Sequence, residues 1–234
     1  MSLQLDEHGR LRHLLTLEGL PREVLCGLLD RAQQLCGHAQ DPARIRELLA
    51  GTAVCTLFFE PSTRTRSSFQ LAAMRLGADV LAFDASTSST SKGETAIDTL
   101  KNIEAMGVRG FVVRHQADGA VAALAEAAGG GTALVNAGDG RSAHPTQGLL
   151  DMLTIRQAKG DRFPRLKVLI VGDIRHSRVA RSDLHALRTL GAGDMRACGP
   201  ASLLPVDDTL RGCSVNACRK ASSVRSTTTT AITA

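Results

Sequence analysis

Tryptophan and tyrosine are both absent from the 234 residues, and phenylalanine occurs six times. A core without large aromatics has to be filled by aliphatic side chains and alanine. The same shortage speaks against a surface that stacks nucleic-acid bases, which relies on aromatic rings. No apolar run approaches the ~20 residues that a bilayer-spanning helix requires. The N-terminal stretch "MSLQLDEHGRLRHLL" carries no apolar leader-type segment. A cytoplasmic protein is expected. The six cysteines, Cys26, Cys36, Cys55, Cys198, Cys213 and Cys218, show no paired metal-type spacing. Free thiols in a reducing compartment fit that pattern. No run of basic residues occurs either, although the net charge is +5 and the pI is near 9.1. Scattered positive charge fits a small anionic ligand better than a nucleic-acid backbone.

What is present is an alternation of apolar strands and amphipathic helices. Pro21 opens a helix that Gly37 stops, with Leu25, Leu28, Leu29 and Ala32 on one face. A short helix follows in "PARIRELLAG". Strands are then expected at 53–59, 79–83, 110–114 and 132–138, with helices between them, and Pro145 opens a further helix. After the polar linker "KGDRFPR" the pattern restarts with a strand at 166–173, a helix near 177–190 and a strand at 194–198. Such alternation predicts parallel sheets covered by helices. The fold class is α/β with two parallel-sheet domains, the second incomplete. The expected boundaries are 1–158 for a first, ligand-binding domain and 166–205 for a partial second one. Residues 206–234 have no apolar period and end in a Ser/Thr-rich tract, which predicts a poorly ordered tail.

In open α/β sheets, ligands bind beyond the carboxyl ends of the strands. Nearly every strand here delivers polar groups to that edge. The first ends in "EPSTRTR", where Pro61 breaks the strand and Ser62 is placed to cap a helix. Backbone N–H groups at a helix start, backed by the helix dipole, favour an anion. Ser62, Thr63 and Thr65 add hydroxyls, and Arg64 can fork onto two oxygens. The pattern predicts a phosphate cradle. "SSTSKGET", with Ser88 and Lys92, is a polar loop without the G-x-x-x-x-G-K-[ST] spacing, and "VGDIRHSR" lacks G-x-G-x-x-G, which argues against a dinucleotide. Arg114 closes the third strand. His144 stands before Pro145, near Asn136, Asp139 and Gln147. Asp139 and Asp173 have no matching His or Cys pattern, so no metal is expected.

The stretches "FFEPSTRTRSSF", "STSSTSKGETAIDT", "VVRH", "LVNAGDGRSAHPTQGLLDMLTI" and "VLIVGDIRHSR" together resemble the aspartate carbamoyltransferase catalytic chains over residues 10–205. The ornithine carbamoyltransferases share the S-T-R-T-R and H-P-x-Q elements, while "EPSTRTR" and "SKGET" resemble the aspartate branch. The resemblance implies carbamoyl transfer from carbamoyl phosphate to L-aspartate in pyrimidine synthesis, with no cofactor and no metal. It implies that Ser62, Thr63, Arg64 and Thr65 hold the phosphate. Arg114, His144 and Thr65 would bond the carbonyl oxygen, where charge grows in the tetrahedral intermediate. Gln147 would bind the carbamoyl amine, and Arg178 an aspartate carboxylate. Ser88 and Lys92 would reach the site of a neighbouring subunit in a homotrimer. Regulatory or dihydroorotase-like chains are further partners that the family admits; neither nucleic acid nor membrane is implied. Orientation and electrostatics would carry catalysis, and the leaving phosphate can take the amine proton.

The resemblance stops near Pro205. The family's R-x-Q segment, which grips the second aspartate carboxylate, is not found in 206–234, and no glutamine follows Gln157. The expectation is that the chain is truncated, or leaves the family's reading frame, near residue 206. Such a second sheet would leave the apolar faces of 166–171 and 179–190 wet, at ~25 cal/mol per Å². A non-catalytic subunit that binds carbamoyl phosphate or trimerises is the alternative from another class, and ornithine carbamoyltransferase the alternative within the family.

Overall fold

Period-two alternation sorts the strand side chains of the first half onto two faces. Cys55, Leu57, Phe111 and Val113 point into one apolar cluster, with Leu100, Ile103, Val121 and Leu124 from the covering helices. Val54, Phe58 and Val112 point into the other, with Ala73 and Ala78. A computed structural model describes residues 3–37, 41–84, 94–217 and 230–233. The chain forms two compact units, one of Met1–Leu15 and Arg31–Ser142, the other of Thr16–Asp30 and Ala143–Ala234. The second unit begins at Ala143, earlier than a cut at 158, and it recruits residues 16–30 from far back in the chain. The reason is tertiary: the helix Pro145–Lys159 (α6), expected to close the first domain, has its main contacts with the helix that follows it, Arg178–Leu190 (α7).

In the first unit a four-stranded parallel sheet has the order β2-β1-β3-β4. Its strands are β1 (Ala53–Phe58), β2 (Asp79–Asp84), β3 (Gly110–His115) and β4 (Ala133–Asp139). Helices α3 (Thr63–Arg75), α4 (Ala96–Ala105) and α5 (Ala120–Ala127) connect them. Two helices precede the sheet, α1 (Arg22–Gly37) and the short α2 (Pro42–Arg46). A reciprocal capping box starts α4: Asp98 N–H donates to Thr95 Oγ1 at 3.1 Å, and Thr95 N–H donates to Asp98 Oδ2 at 3.0 Å.

The second unit holds α6 (Pro145–Lys159), β5 (Lys167–Val171), α7 (Arg178–Leu190) and β6 (Asp194–Gly199). Two further strands, β7 (Ser214–Ala217) and β8 (Thr230–Thr233), complete a parallel sheet of order β7-β6-β5-β8. Residues 214–217 and 230–233 therefore depart from the expected tail. Ser214 to Ala217 pair in register with Arg196 to Gly199, and Thr230 to Thr233 with Val168 to Val171. Four-residue strands are too short to show a period, so only the open edges of β6 and β5 reveal where they dock. The expectation of wet apolar faces also fails. Val168 and Ile170 are 1% exposed, and Leu184 and Leu187 are fully buried, because β5 is flanked on both edges and α7 packs on α6.

At one point α6 and α7 nearly touch. A Cβ placed on Gly148 would lie 2.8 Å from Leu17 Cδ1 and 3.1 Å from Ser182 Cβ. A residue without a side chain permits that approach with no adjustment of its neighbours. Among the described residues, no helix is long and apolar enough to cross a membrane.

Candidate active site

In the first unit the candidate groups lie at the carboxyl ends of β1 and β3, which are neighbours in the sheet. Ser62 occupies the N-cap of α3 without a side-chain capping bond. By helix geometry the N–H groups that follow it have no partner within the helix. Arg64 is exposed and Thr65 half-buried. Further along the helix, Gln70 Nε2 donates to Thr56 Oγ1 at 3.0 Å, tying α3 to β1.

Arg114 sits opposite Phe58 in the β1–β3 register. The β3–β4 pairing slips between Val113 and His115, so that His115 meets Asp139 rather than continuing the ladder. Such a bulge re-aims the side chain at its centre. The Arg114 guanidinium donates from Nη1 to Ala137 O at 3.1 Å and from Nη2 to Glu60 Oε1 at 2.7 Å. Glu60, one residue before Pro61, was not singled out by sequence. It holds the nearly buried cation beside the start of α3. Asp139 accepts from Asn136 Nδ2 at 3.1 Å and from Gly119 N–H at 3.1 Å, so it organises the end of β4.

In the second unit the candidates lie at two helix starts. His144 is the N-cap of α6, with Pro145 at its first position. Its ring is nearly buried, and Nδ1 lies 3.3 Å from Thr146 Oγ1. Arg178 opens α7, whose N-cap Ser177 accepts from Ala180 N–H at 3.1 Å. Ser182 joins the two helix starts. Its hydroxyl accepts from His144 N–H at 2.9 Å and donates to Arg178 O at 2.9 Å. Gln147 Nε2 donates to Asp151 Oδ1 at 3.1 Å. Asp173 pairs with His176 Nδ1 at 2.9 Å, and that hydrogen bond holds its carboxyl below the usual carboxylate range.

The structure thus brings Ser62, Thr63, Arg64, Thr65 and Arg114 together within the first unit. It brings His144, Gln147 and Arg178 together within the second. Ser88 and Lys92 lie outside the described residues. Ser182, Glu60 and Asp151 were missed because their partners are distant in sequence or belong to helix packing.

Fold and site define a parallel α/β protein with hydroxyls and an arginine at one helix start, and a histidine and an arginine at two others. Residues 12–157 match the family described as aspartate/ornithine carbamoyltransferase, carbamoyl-P binding domain. The aspartate carbamoyltransferase catalytic subunit of Xanthomonas campestris pv. campestris (strain B100) is 78% identical over 214 residues, 92% of this chain and 68% of that protein. Its counterpart in Stenotrophomonas maltophilia (strain R551-3) is 77% identical over 213 residues, 91% of this chain and 67% of that protein. A crystal structure of aspartate transcarbamoylase from Trypanosoma cruzi, in complex with carbamoyl phosphate and aspartate, superposes with a TM-score of 0.80 at 28% identity, covering 93% of this chain and 70% of that one. The chain belongs to the aspartate/ornithine carbamoyltransferase family, and spans about two thirds of the length of these relatives.

Proposed function

We propose that this protein transfers the carbamoyl group of carbamoyl phosphate to the amine of L-aspartate. The products are N-carbamoyl-L-aspartate and phosphate, in pyrimidine biosynthesis. The observation that carries the reading is 78% identity to a protein named as an aspartate carbamoyltransferase catalytic subunit. The local geometry of each unit supports it.

In this reading Ser62, Thr63, Arg64 and Thr65 clasp the phosphate through hydroxyls, helix-start N–H groups and a guanidinium. Arg114, His144 and Thr65 are assigned the carbonyl oxygen. Attack by the amine turns that oxygen into an oxyanion, so fixed donors lower the barrier. Glu60 and the Ala137 carbonyl hold the Arg114 guanidinium in advance, which removes a reorganisation cost at the moment of reaction. Gln147 takes the carbamoyl amine, and Arg178 an aspartate carboxylate. As the tetrahedral intermediate collapses, the C–O bond to phosphate breaks and the phosphate accepts the amine proton. No covalent enzyme intermediate is required. A cytoplasmic homotrimer is part of the proposal, with Ser88 and Lys92 serving a neighbouring subunit.

A second reading, a subunit that binds carbamoyl phosphate without turnover, is favoured by the extent of the family match, which is to the carbamoyl-P binding domain over residues 12–157. One assay separates the readings: labelled carbamoyl phosphate supplied with aspartate, with ornithine, or with neither. Product with aspartate alone supports the first reading. Saturable binding without product supports the second. Product with ornithine alone would move the chain to the other branch.

A further inference from the structure

Two carboxyl groups face each other where α6 packs on α7. Asp183 on α7 is fully buried. Neither of its side-chain oxygens receives an N–H or hydroxyl hydrogen. Among the described residues the carboxyl of Asp151, on the packed face of α6, is the acid that acts on it. Two carboxylates cannot share a hydrogen bond, so one of the pair must keep its proton. The proton belongs on Asp183. Burial, and then the charge of Asp151, push its carboxyl up to about 8. Asp151 is only half-buried and accepts from Gln147 Nε2 at 3.1 Å. The nearby basic side chains are turned elsewhere: Arg181 is paired with Asp207, and His185, which burial biases toward its neutral form, faces Glu18. Asp151 is the charged group acting on Asp183.

This arrangement decides the orientation of an amide. The two ends of a glutamine side chain are nearly the same in shape but opposite in hydrogen bonding. A carboxylate at 3.1 Å must face the NH2 end. Oε1 is then the end left to meet a ligand, and it can accept from an N–H but not from a methyl group.

We infer that the Asp183–Asp151 pair is a positioning device for Gln147, which holds Oε1 outward and so selects a carbamoyl ligand over an acetyl one. Asp183 donates its proton to Asp151, which keeps Asp151 charged and in place, and Asp151 holds the amide. Asp183 and Asp151 are positioning residues that do not touch the ligand. The selectivity part rests on the reading above, that Gln147 meets the carbamoyl amine. The coupling of Gln147 to the acid pair does not. The close approach of the helices at Gly148 and Ser182, each adjacent in sequence to a member of the chain Gln147, Asp151, Asp183, keeps the three groups within reach.

The test uses the full chain with 15N-labelled glutamine, the Gln147 side-chain signals being assigned by their loss in Gln147→Ala. In the unsubstituted protein these signals move with a midpoint near pH 8, where Asp183 ionises. Asp183→Asn retains a donor and keeps the signals in place without the pH response. Asp183→Leu has no donor, and shifts them toward the values of an exposed glutamine. With ligand, the ratio of carbamoyl phosphate to acetyl phosphate affinity falls about tenfold in Asp183→Leu, and Asp183→Asn recovers most of it. Gln147 signals indifferent both to pH and to Asp183→Leu would overturn the coupling. Should Asp183→Leu fail to fold, the pH titration of the unsubstituted protein and of Asp183→Asn decides the same point. If the coupling is present and both ligands bind, an unchanged affinity ratio overturns the selectivity. If the coupling is present and carbamoyl phosphate perturbs no signal, the coupling is supported and the functional reading fails.

Discussion

The hydroxyl of Ser182 lies 2.9 Å from the backbone nitrogen of His144 and accepts its hydrogen. The two residues are 38 positions apart, yet this bond caps one helix start with a residue of the next helix. Because the same hydroxyl donates to Arg178 O, a single side chain fixes the spacing of a histidine and an arginine that the proposed chemistry uses together.

Ser182→Ala is therefore expected to do more than remove a surface hydroxyl. It removes the acceptor that Ser182 gives the buried His144 N–H, a loss of about 1–3 kcal/mol. Urea unfolding at fixed pH measures the loss. A midpoint unchanged from that of the parent would show that the bond contributes nothing.

Arg64 separates binding from stability. It is exposed on the first turn of α3, so Arg64→Ala should leave the melting temperature unaltered. A charged hydrogen-bond donor facing a phosphate is worth ~1.5–3 kcal/mol, so calorimetry should show carbamoyl phosphate affinity reduced by about tenfold to a hundredfold. Normal affinity in this variant would mean that the cradle lies elsewhere.

The ion pair of Glu60 with Arg114 is short, 2.7 Å, and the arginine side chain is only 10% exposed. Removing the carboxylate strands a nearly buried cation. Glu60→Ala should destabilise the first unit by ~2–4 kcal/mol, a range set by partial exposure of the pair. Glu60→Gln, which keeps an oxygen acceptor, should lose less. Thermal melts of both variants provide the comparison, and equal losses would contradict the role of the acceptor.

Stability should also respond to the acid pair. The folded-state value for Asp183, about 8, lies above the ordinary 3.8. The folded chain therefore keeps a proton that the unfolded chain releases. The associated stability is complete below the ordinary value, and is lost as pH rises toward the folded one. The slope in that window is about −1.4 kcal/mol per pH unit from this group. Asp183→Asn should flatten it. Denaturant midpoints taken across the window read the difference, and parallel pH profiles for parent and variant would refute the assignment.

The parts legible in the sequence were those carried by residues close together in the chain. The strands at β1 and β3, the proline and hydroxyls that start α3, and Pro145 at the start of α6 are local signals, and they appear in the structure within a residue or two. Glu60, Ser182, Asp151 and Asp183 were not legible. Glu60 meets Arg114 only through the β1–β3 register. Asp151 meets Asp183 only because α6 packs on α7. On a single helix an aspartate at either position reads as an ordinary polar residue. The strands β7 and β8 escaped for a different reason: a four-residue segment holds too few alternations to be distinguished from a loop.

Gly148 sets a tolerance on this assembly. A Cβ added at Gly148 would press to 3.1 Å from Ser182 Cβ, tighter than ordinary contact, so the neighbour would have to give by a few tenths of an ångström. A bulkier residue would act as a shim, pressing on Leu17 and Ser182 and loading the bonds that Ser182 makes to the helix starts bearing His144 and Arg178. The working gap between the two helices is thus set by the one side chain the chain leaves out.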